Sequence, residues 1–376
     1  MKRREIRLMQ HVSILIKPAS SACNMKCSYC FYEDVASCRE QEFQGFLAEE
    51  QMEQVIVEAM KLAERSCSFL FQGGEPTLAG LSFFEQTIRL QKKHQKKGVL
   101  IYNSIQTNGY GLTEEMVRFF VREQFLIGVS LDGPGQIHNL YRKDRRGAAT
   151  FREVMETIAL LKRYHADYNV LCVVTAESAK MARSIYNFYR EQGISWMQFI
   201  PCLLPFDGTL PGTGYAPSPE AYGVFLTELF DCWFEELKRG RFVSIRHLDN
   251  WMAILLGGQP ACCGMVGRCS IQFVVEGDGG VYPCDFYVLD EWRIGTVGEQ
   301  SFADMCEGET ARKFLEESVK LPEECRGCRY YVLCRNGCRR ERSEGKHRYC
   351  QSYQMFFSNR EKELEQAALL IKMKEM

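Results

Sequence analysis

The stretch Ser13-Ile-Leu-Ile-Lys17 is a short apolar run that predicts a β-strand, and it is followed by Cys23-Asn-Met-Lys-Cys27-Ser-Tyr-Cys30. The spacing Cys-x3-Cys-x2-Cys places three thiolates on one tight loop. Three cysteines can hold a cubane iron–sulfur cluster and leave one iron open for another ligand. Two simpler interpretations stay open on the spacing alone: a zinc site completed by a distant histidine, and a set of free cysteines.

The composition of the chain is that of an ordinary globular protein, except for its cysteines. Its 376 residues include 47 basic and 48 acidic side chains, and 46% of them are hydrophobic. This balance indicates no polybasic surface, so we expect no nucleic-acid partner. The apolar stretch from Val12 to Ile16 is far shorter than the roughly 20 residues of a membrane span. We therefore expect neither export nor membrane insertion, and we predict a cytoplasmic protein.

The 18 cysteines are an unusual number for a chain without a recognisable export signal. Disulfides are the weaker interpretation, because a reducing compartment disfavours them. The cysteines are also unevenly spaced, with three near the start of the chain and ten between Cys262 and Cys350. The sequence therefore predicts two metal-bearing regions.

Up to about residue 240, short β-branched or aromatic runs alternate with stretches of helical periodicity, a pattern typical of βα units. Such an α/β pattern predicts either an incomplete barrel or a doubly wound sheet. The chain is long enough for a second domain. Six strands are predicted, at Ser13–Lys17, Ser68–Gln72, Leu100–Gln106, Leu126–Leu131, Asn169–Val174 and Trp196–Ile200.

Polar segments follow the predicted strands, at the ends where parallel βα folds bind their ligands. After the cysteine loop come Gln72-Gly73-Gly74-Glu75-Pro76, then Gln106-Thr107-Asn108-Gly109, then Ser130-Leu131-Asp132-Gly133. We expect these loops to converge on one ligand-binding site at the C-terminal ends of the strands. The charge run from Tyr141 to Arg146, by contrast, is interpreted as a solvated face.

A segment rich in proline and glycine, Pro201–Pro219, predicts a long loop before a helix over about Pro219–Arg239. We therefore predict a domain boundary near Gly240, which gives domains 1–240 and 241–376. In the second domain, Gln272–Glu276 and Gly280–Tyr282 predict a hairpin. The rest of this smaller domain is rich in cysteine and ends in a predicted helix.

The cysteine spacing and Gly73-Gly74-Glu75-Pro76 together resemble the radical S-adenosylmethionine superfamily. The resemblance implies a partial (β/α)6 barrel of TIM type with a smaller cysteine-rich domain that holds auxiliary iron–sulfur clusters. It also implies that Cys23, Cys27 and Cys30 hold a [4Fe–4S] cluster, whose open iron binds S-adenosylmethionine for cleavage to a 5′-deoxyadenosyl radical. Glycines suit such a site, because a backbone without Cβ atoms can approach the cofactor closely. The residues placed at the cofactor are Tyr32, Gly73, Gly74, Glu75 and Ser130.

The C-terminal cysteines resemble the SPASM-type extension of radical enzymes that act on peptides. By this resemblance one auxiliary [4Fe–4S] cluster is held by Cys263, Cys269, Cys284 and Cys338. The other auxiliary [4Fe–4S] cluster is held by Cys325, Cys328, Cys334 and Cys350. Eight thiolates fill two such clusters, which favours electron transfer over substrate ligation. A zinc ribbon stays open for the Cys-x2-Cys spacing, and Cys262 is an alternative to Cys263.

Three longer segments, Ile14–Cys23, Phe71–Gly80 and Val281–Tyr287, resemble anaerobic sulfatase-maturating enzymes. That family oxidises a cysteine or serine, within Cys/Ser-x-Pro-x-Arg of an unfolded sulfatase, to Cα-formylglycine. The resemblance implies that the radical abstracts a Cβ hydrogen, that a base removes the thiol or hydroxyl proton, and that an auxiliary cluster takes the remaining electron. A low-potential donor such as flavodoxin or ferredoxin is also implied.

The residue predicted as the base is Asp285, because it follows the cluster ligand Cys284 directly. The alternative role for Asp285 is that of a turn residue in a hairpin. Tyr32 and Gln72 are predicted to line the substrate pocket, and a strand-end role stays open for Gln72.

Two other classes of protein stay open. A maturase that forms crosslinks in a ribosomally made peptide would share the barrel and the auxiliary clusters. A non-catalytic iron–sulfur or zinc scaffold would leave the segment Gly73–Pro76 without a purpose.

Overall fold

The computed structural model describes residues 8–206 and 214–375. The predicted loop Pro201–Pro219 therefore falls partly outside the described residues, at 207–213. All 18 cysteines are described, and none of them forms a disulfide. Within the described residues, no helix combines the length and the apolar character needed to cross a membrane.

The six predicted strands are all present, each within a few residues of its predicted position. The strands are β1 (Met9–Ile16), β2 (Ala63–Phe71), β3 (Leu100–Thr107), β4 (Leu126–Ser130), β5 (Tyr168–Val174), β6 (Trp196–Pro201), β7 (Ser244–Ile245), β8 (Val274–Val275), β9 (Gly280–Tyr282), β10 (Gly295–Thr296), β11 (Arg342–Ser343) and β12 (Lys346–His347).

Helices follow each of the first six strands, as repeated βα units require. The α-helices are α1 (Phe31–Ser37), α2 (Glu49–Leu62), α3 (Leu81–His94), α4 (Glu114–Arg122), α5 (Gly135–Tyr141), α6 (Phe151–Arg163), α7 (Ala182–Glu191), α8 (Pro219–Lys238), α9 (Arg246–Leu255), α10 (Phe302–Glu307), α11 (Glu309–Ser318), α12 (Glu323–Arg326), α13 (Tyr331–Cys334) and α14 (Cys350–Glu375).

The described chain divides into two compact units, each assembled from separate segments. The first unit comprises residues 8–129, 142–168 and 270–315. The second comprises residues 130–141, 169–206, 214–269 and 316–375. Each unit takes residues from both sides of Gly240, so the compact units do not follow a division at that residue. The division into domains 1–240 and 241–376 stays a prediction.

The sheet of the first unit has the strand order β10-β9-β8-β1-β2-β3-β4. Strands β1 to β4 run parallel to one another. Strand β8 also pairs in parallel with β1, and β9 returns antiparallel to β8, as the predicted hairpin requires. Because the Lys17 amide donates a hydrogen bond to the Val275 carbonyl (2.9 Å), the hairpin is fastened beside the start of the cysteine loop.

The core of the first unit is a cluster of phenylalanines between the sheet and its helices. The ring of Phe84 lies 5.4 Å from that of Phe71 and 5.1 Å from that of Phe120. Helix α2 buries the apolar stripe that includes Met52, Val55 and Ile56, because its apolar positions recur with helical spacing. Burial of these side chains supplies the main stabilisation of the unit.

In the second unit, β5, β6 and β7 run parallel, and helices α8 and α14 pack against each other. The Phe356 ring lies 5.6 Å from Phe230 and 5.1 Å from Trp251. Arg360 forms a two-pronged ion pair with Asp231, with both nitrogen-to-oxygen distances at 2.7 Å. Helix α14 is therefore held along its length by both apolar and charged contacts.

Candidate active site

The three cysteines of the N-terminal motif lie on the loop between β1 and α1. Cys23, Cys27 and Cys30 are half-buried, and the Cys30 amide donates a hydrogen bond to the Cys27 carbonyl (3.1 Å). Burial raises the pKa of Cys23 to about 11 and also raises the pKa of Cys30. Without a metal these thiols therefore keep their protons at neutral pH, and binding of a cluster would have to displace them.

The glycine segment after β2 lies directly against the residues that lead into the cysteine loop. The Gly74 amide donates to the Ser20 carbonyl (2.9 Å), and the Glu75 amide donates to the Ala22 carbonyl (2.8 Å). A Cβ atom on Gly74 would lie 2.1 Å from the Ala22 carbonyl oxygen, so no other residue fits without moving one loop. The two loops thus form one cradle that is wide enough only because residue 74 is a glycine.

Substitution of Gly74 by alanine is expected to weaken S-adenosylmethionine binding about 5- to 150-fold, because overpacking costs about 1–3 kcal/mol and 1.4 kcal/mol is a factor of ten. Equilibrium binding to the anaerobically reconstituted protein measures the effect. Gly214→Ala is the matched control, since a Cβ atom on Gly214 meets no atom of the described chain within 4 Å. Equal affinities of the two variants would show that the close approach at residue 74 is not needed.

Glu75 fastens this cradle to the loop after β3. Its carboxylate is fully buried and accepts hydrogen bonds from the Thr77 amide (3.1 Å), the Thr77 hydroxyl (2.7 Å), the Thr107 hydroxyl (2.9 Å) and the Asn108 amide (2.8 Å). Burial raises its pKa, and these donors act in the opposite direction. The structure therefore gives Glu75 a positioning role, and direct contact between its carboxylate and the cofactor stays a prediction.

Two residues beside the cysteine loop were not predicted as site residues. Asn108 directs its amide nitrogen at the Cys23 sulfur (3.6 Å) and donates to the Asn24 side chain (2.8 Å). Arg145 donates from Nε to the Cys23 carbonyl (2.8 Å). The position of Asn108 after the third predicted strand could have indicated a site residue. The charge run that contains Arg145 predicted a solvated face instead.

Asp285 lies at the centre of a buried hydrogen-bond network. Tyr32 donates from Oη to Asp285 Oδ2 (2.6 Å), and Gln72 donates from Nε2 to Tyr32 Oη (2.6 Å) and Asp285 Oδ2 (3.3 Å). The structure thus brings together the three predicted residues from the start of helix α1, the end of β2 and the segment after β9. The other carboxylate oxygen, Oδ1, is buried and has no hydrogen-bond partner among the residues that the structure describes. Since a buried acceptor is normally paired, Oδ1 is suited to receive a proton from a bound molecule.

The charge of Asp285 is set by burial and by one nearby cation. Burial raises its pKa to about 6, while the charge of Lys17 and the hydrogen bond from Tyr32 lower it. The carboxylate is therefore ionised at neutral pH and is more basic than an exposed aspartate. Lys17 is held by Glu276 (Nζ to Oε2, 2.9 Å), which also receives Arg39 (2.8 Å). The hydrogen-bond partners of Asp285 argue against a simple turn role, because none of them is local backbone.

Cysteines of the C-terminal region form two groups in the second unit. The four cysteines Cys325, Cys328, Cys334 and Cys350 line one cavity. Separately, Cys338 has Cys263 and Cys269 as neighbouring thiolates, which add to the effect of burial in raising its pKa. The choice of Cys263 over Cys262 stays a prediction. Cys284 belongs to the first unit, where it directly precedes Asp285.

Across residues 8–206 and 214–375, no three His, Cys, Asp or Glu side chains form a ready-made site for one metal ion.

Ser130 is the last residue of β4 and is half-buried in the second unit. Beside it, the Asp132 carboxylate accepts a hydrogen bond from the Val173 amide (3.0 Å) within that unit. Cofactor binding by Ser130 stays a prediction.

Comparison with known proteins agrees with this site. A model of the radical SAM superfamily matches residues 18–188, and a model of an iron–sulfur cluster-binding domain, SPASM, matches residues 262–329. The βα units, cysteine loop and glycine cradle thus define a radical S-adenosylmethionine enzyme. A cysteine-type anaerobic sulfatase-maturating enzyme of Clostridium perfringens (strain 13 / Type A) is 44% identical over 355 residues, covering 93% of this chain and 96% of that protein. The chain belongs to the family of anaerobic sulfatase-maturating enzymes.

Two further comparisons place the chain within this family. A serine-type anaerobic sulfatase-maturating enzyme of Bacteroides thetaiotaomicron is 31% identical, covering 92% of this chain and 88% of that protein. A solved structure, native anSMEcpe with bound AdoMet and Cp18Cys peptide, is 43% identical with a TM-score of 0.91, covering 96% of this chain and 99% of that one. The predicted fold class, including the cysteine-rich C-terminal region, is confirmed by this likeness.

Proposed function

We propose that the enzyme oxidises a cysteine side chain of a sulfatase polypeptide to Cα-formylglycine, using S-adenosylmethionine and three [4Fe–4S] clusters. The observation that carries the proposal is the Asp285 carboxylate, which is buried, ionised at neutral pH and unpartnered at Oδ1. Sulfatase maturation needs a base beside an electron acceptor, and Asp285 directly follows the proposed cluster ligand Cys284.

The proposed ligand sets follow the cysteine groups. Cys23, Cys27 and Cys30 would hold the cluster that binds S-adenosylmethionine, since three ligands leave one iron open. The cavity cysteines Cys325, Cys328, Cys334 and Cys350 would hold one auxiliary cluster. Cys263, Cys269 and Cys338, with Cys284 as the fourth ligand, would hold the other. The glycine cradle fits the cofactor because it exposes backbone where a Cβ atom would collide.

The protein residues act on the proton and on the orientation of the substrate. When bound, the cofactor and the clusters supply the radical that takes the Cβ hydrogen and the acceptor for the remaining electron. The thiol proton passes to Asp285 Oδ1. Tyr32 and Gln72 hold Oδ2, so the free oxygen has one orientation. The substrate loses a hydrogen atom, a proton and an electron to become a thioaldehyde, and water then hydrolyses it to the aldehyde with release of hydrogen sulfide.

Cysteine is proposed as the preferred reacting residue. The cysteine-type relative from Clostridium perfringens is 44% identical to this chain, and the serine-type relative from Bacteroides thetaiotaomicron is 31% identical. We also propose that the substrate is unfolded, because the reacting Cβ must reach a carboxylate that is buried in the protein. Flavodoxin or ferredoxin as the low-potential donor stays a prediction.

An extended peptide that contains Cys-x-Pro-x-Arg is expected to be converted to the aldehyde by the reconstituted enzyme under anaerobic conditions. Mass spectrometry detects replacement of the thiol by a carbonyl oxygen. Ordering a flexible peptide costs about 2–5 kcal/mol, so its affinity should be modest and should depend on the flanking side chains.

Two control substrates sharpen this experiment. The same segment inside a natively folded sulfatase should stay unmodified, and a peptide with serine in place of cysteine should react more slowly. A product that has lost only two hydrogens and contains a crosslink would instead favour the peptide-crosslinking maturase.

A further inference from the structure

His347 is a buried histidine in the wall of the cavity that the four cysteines line. It lies in β12 and is only 3% exposed. The cavity is lined by the proposed cluster ligands Cys325, Cys328, Cys334 and Cys350 together with His347. No role has been given to this side chain in the reaction described above.

Within residues 8–206 and 214–375, neither ring nitrogen of His347 has a hydrogen-bond partner. The nearest carboxylate is that of Glu341, whose Oε2 lies 3.6 Å from Nε2, which is too far for a hydrogen bond. A neutral imidazole always carries one N–H donor, and a buried donor without an acceptor is costly. An acceptor inside the cavity would remove that cost.

Contacts with neighbouring residues fix the position of the His347 ring. The Asn336 side chain accepts the His347 amide (2.9 Å) and donates to the Gly345 carbonyl (3.0 Å). A Cβ atom on residue 337 would lie 1.9 Å from the His347 ring, so glycine is required there. On one face the imidazole stacks on Tyr353, with ring centres 5.0 Å apart and planes 16° apart. These contacts hold the ring in one orientation against the cavity.

We propose that His347 donates a hydrogen bond from its ring N–H to a sulfur of the auxiliary cluster in this cavity. The inference rests on the proposed assignment of the four cavity cysteines as ligands. Four thiolates satisfy the four irons, so a fifth donor has no vacant iron and meets sulfur instead. Hydrogen bonds to cluster sulfurs stabilise the more negative reduced state, and they therefore raise the reduction potential. His347 thus tunes the reduction potential of this cluster and makes the cluster a better electron acceptor.

Substitution of His347 by phenylalanine keeps the ring stack and removes both nitrogens. The expected result is unchanged iron content and a more negative reduction potential for this one cluster, measured by redox titration followed by electron paramagnetic resonance. The value of kcat for peptide oxidation should fall while KM stays near its wild-type value. His347→Gln keeps an N–H donor and should bring the potential back toward that of the wild type.

His247→Phe is the matched control, because His247 belongs to the same unit and does not line the cavity. An unchanged potential in both His347 variants would overturn the proposal. Loss of iron on substitution of His347, with retention after Cys325→Ala, would also overturn it, since His347 would then be a ligand. The reduction potential and the iron content are measured without peptide. Failure of the proposed formylglycine chemistry is therefore detected separately.

Discussion

Substitution of Cys23, Cys27 and Cys30 by alanine is expected to abolish both S-adenosylmethionine cleavage and formylglycine formation. The three thiolates leave one iron open, and no other group of cysteines in the proposed assignment does so. Iron content should fall from about twelve to about eight per chain, because the two auxiliary clusters have their own ligands. Iron analysis and detection of 5′-deoxyadenosine after anaerobic reconstitution measure these effects.

The adjacent pair Cys262 and Cys263 supplies a control of matched chemistry. Cys262→Ala should keep all irons, whereas Cys263→Ala should disturb one auxiliary cluster, since Cys263 is one of the cysteines whose charge acts on Cys338. A wild-type protein that reconstitutes with only about four irons, or with zinc, contradicts the three-cluster assignment.

The positions of the central strands follow from sequence pattern alone. Strand β3 extends over Leu100–Thr107 and β6 over Trp196–Pro201, each ending one residue beyond its prediction. Along β6, buried positions alternate with more exposed ones, which is the period of two that a strand imposes on its side chains. Strand β2 begins at Ala63, earlier than predicted. Its first half carries exposed polar residues, so the sequence shows no apolar run there, and this half joins the sheet by backbone pairing with β1.

The candidate site depends on contacts that spacing does not reveal. Tyr32 and Asp285 are separated by 253 positions, and they meet because the β8–β9 hairpin pairs alongside β1. Pattern analysis predicts both strands of that hairpin but not their neighbour in the sheet. The assignment of Asp285 therefore came from family resemblance, and the structure adds its hydrogen bonds and its unpartnered oxygen.

The charge run between Tyr141 and Arg146 is a second place where local sequence pattern does not predict the contacts that the residues make. Its composition predicts a solvated face, yet Arg142 is 5% exposed and its guanidinium lies 5.5 Å from the centre of the Tyr29 ring. The Lys26 amide also donates to the Lys143 carbonyl (2.8 Å). The local pattern could not indicate this, because the partners of the run belong to the cysteine loop more than a hundred residues earlier.

Substitution of Asp285 by asparagine is expected to lower formylglycine formation by about 10²–10⁴-fold, the range for loss of a general base. Asparagine keeps the shape of the side chain and can still accept the hydrogen bond from Tyr32, but it cannot take the thiol proton. Formation of 5′-deoxyadenosine should continue, because the cysteine loop and glycine cradle are unchanged. Parallel assays of the peptide aldehyde and of 5′-deoxyadenosine therefore separate loss of the base from loss of the cofactor site.

Asp304→Asn is the control for this substitution, because Asp304 lies in the same unit, where it contacts Ser301 and not the Asp285 network. It should leave both products near wild-type levels. Asp285→Glu retains a carboxylate and should recover part of the activity, which a purely structural role for the side chain would not explain. Near-normal peptide oxidation by Asp285→Asn would return Asp285 to the role of a buried structural acceptor, held by Tyr32 and Gln72 without any part in proton removal.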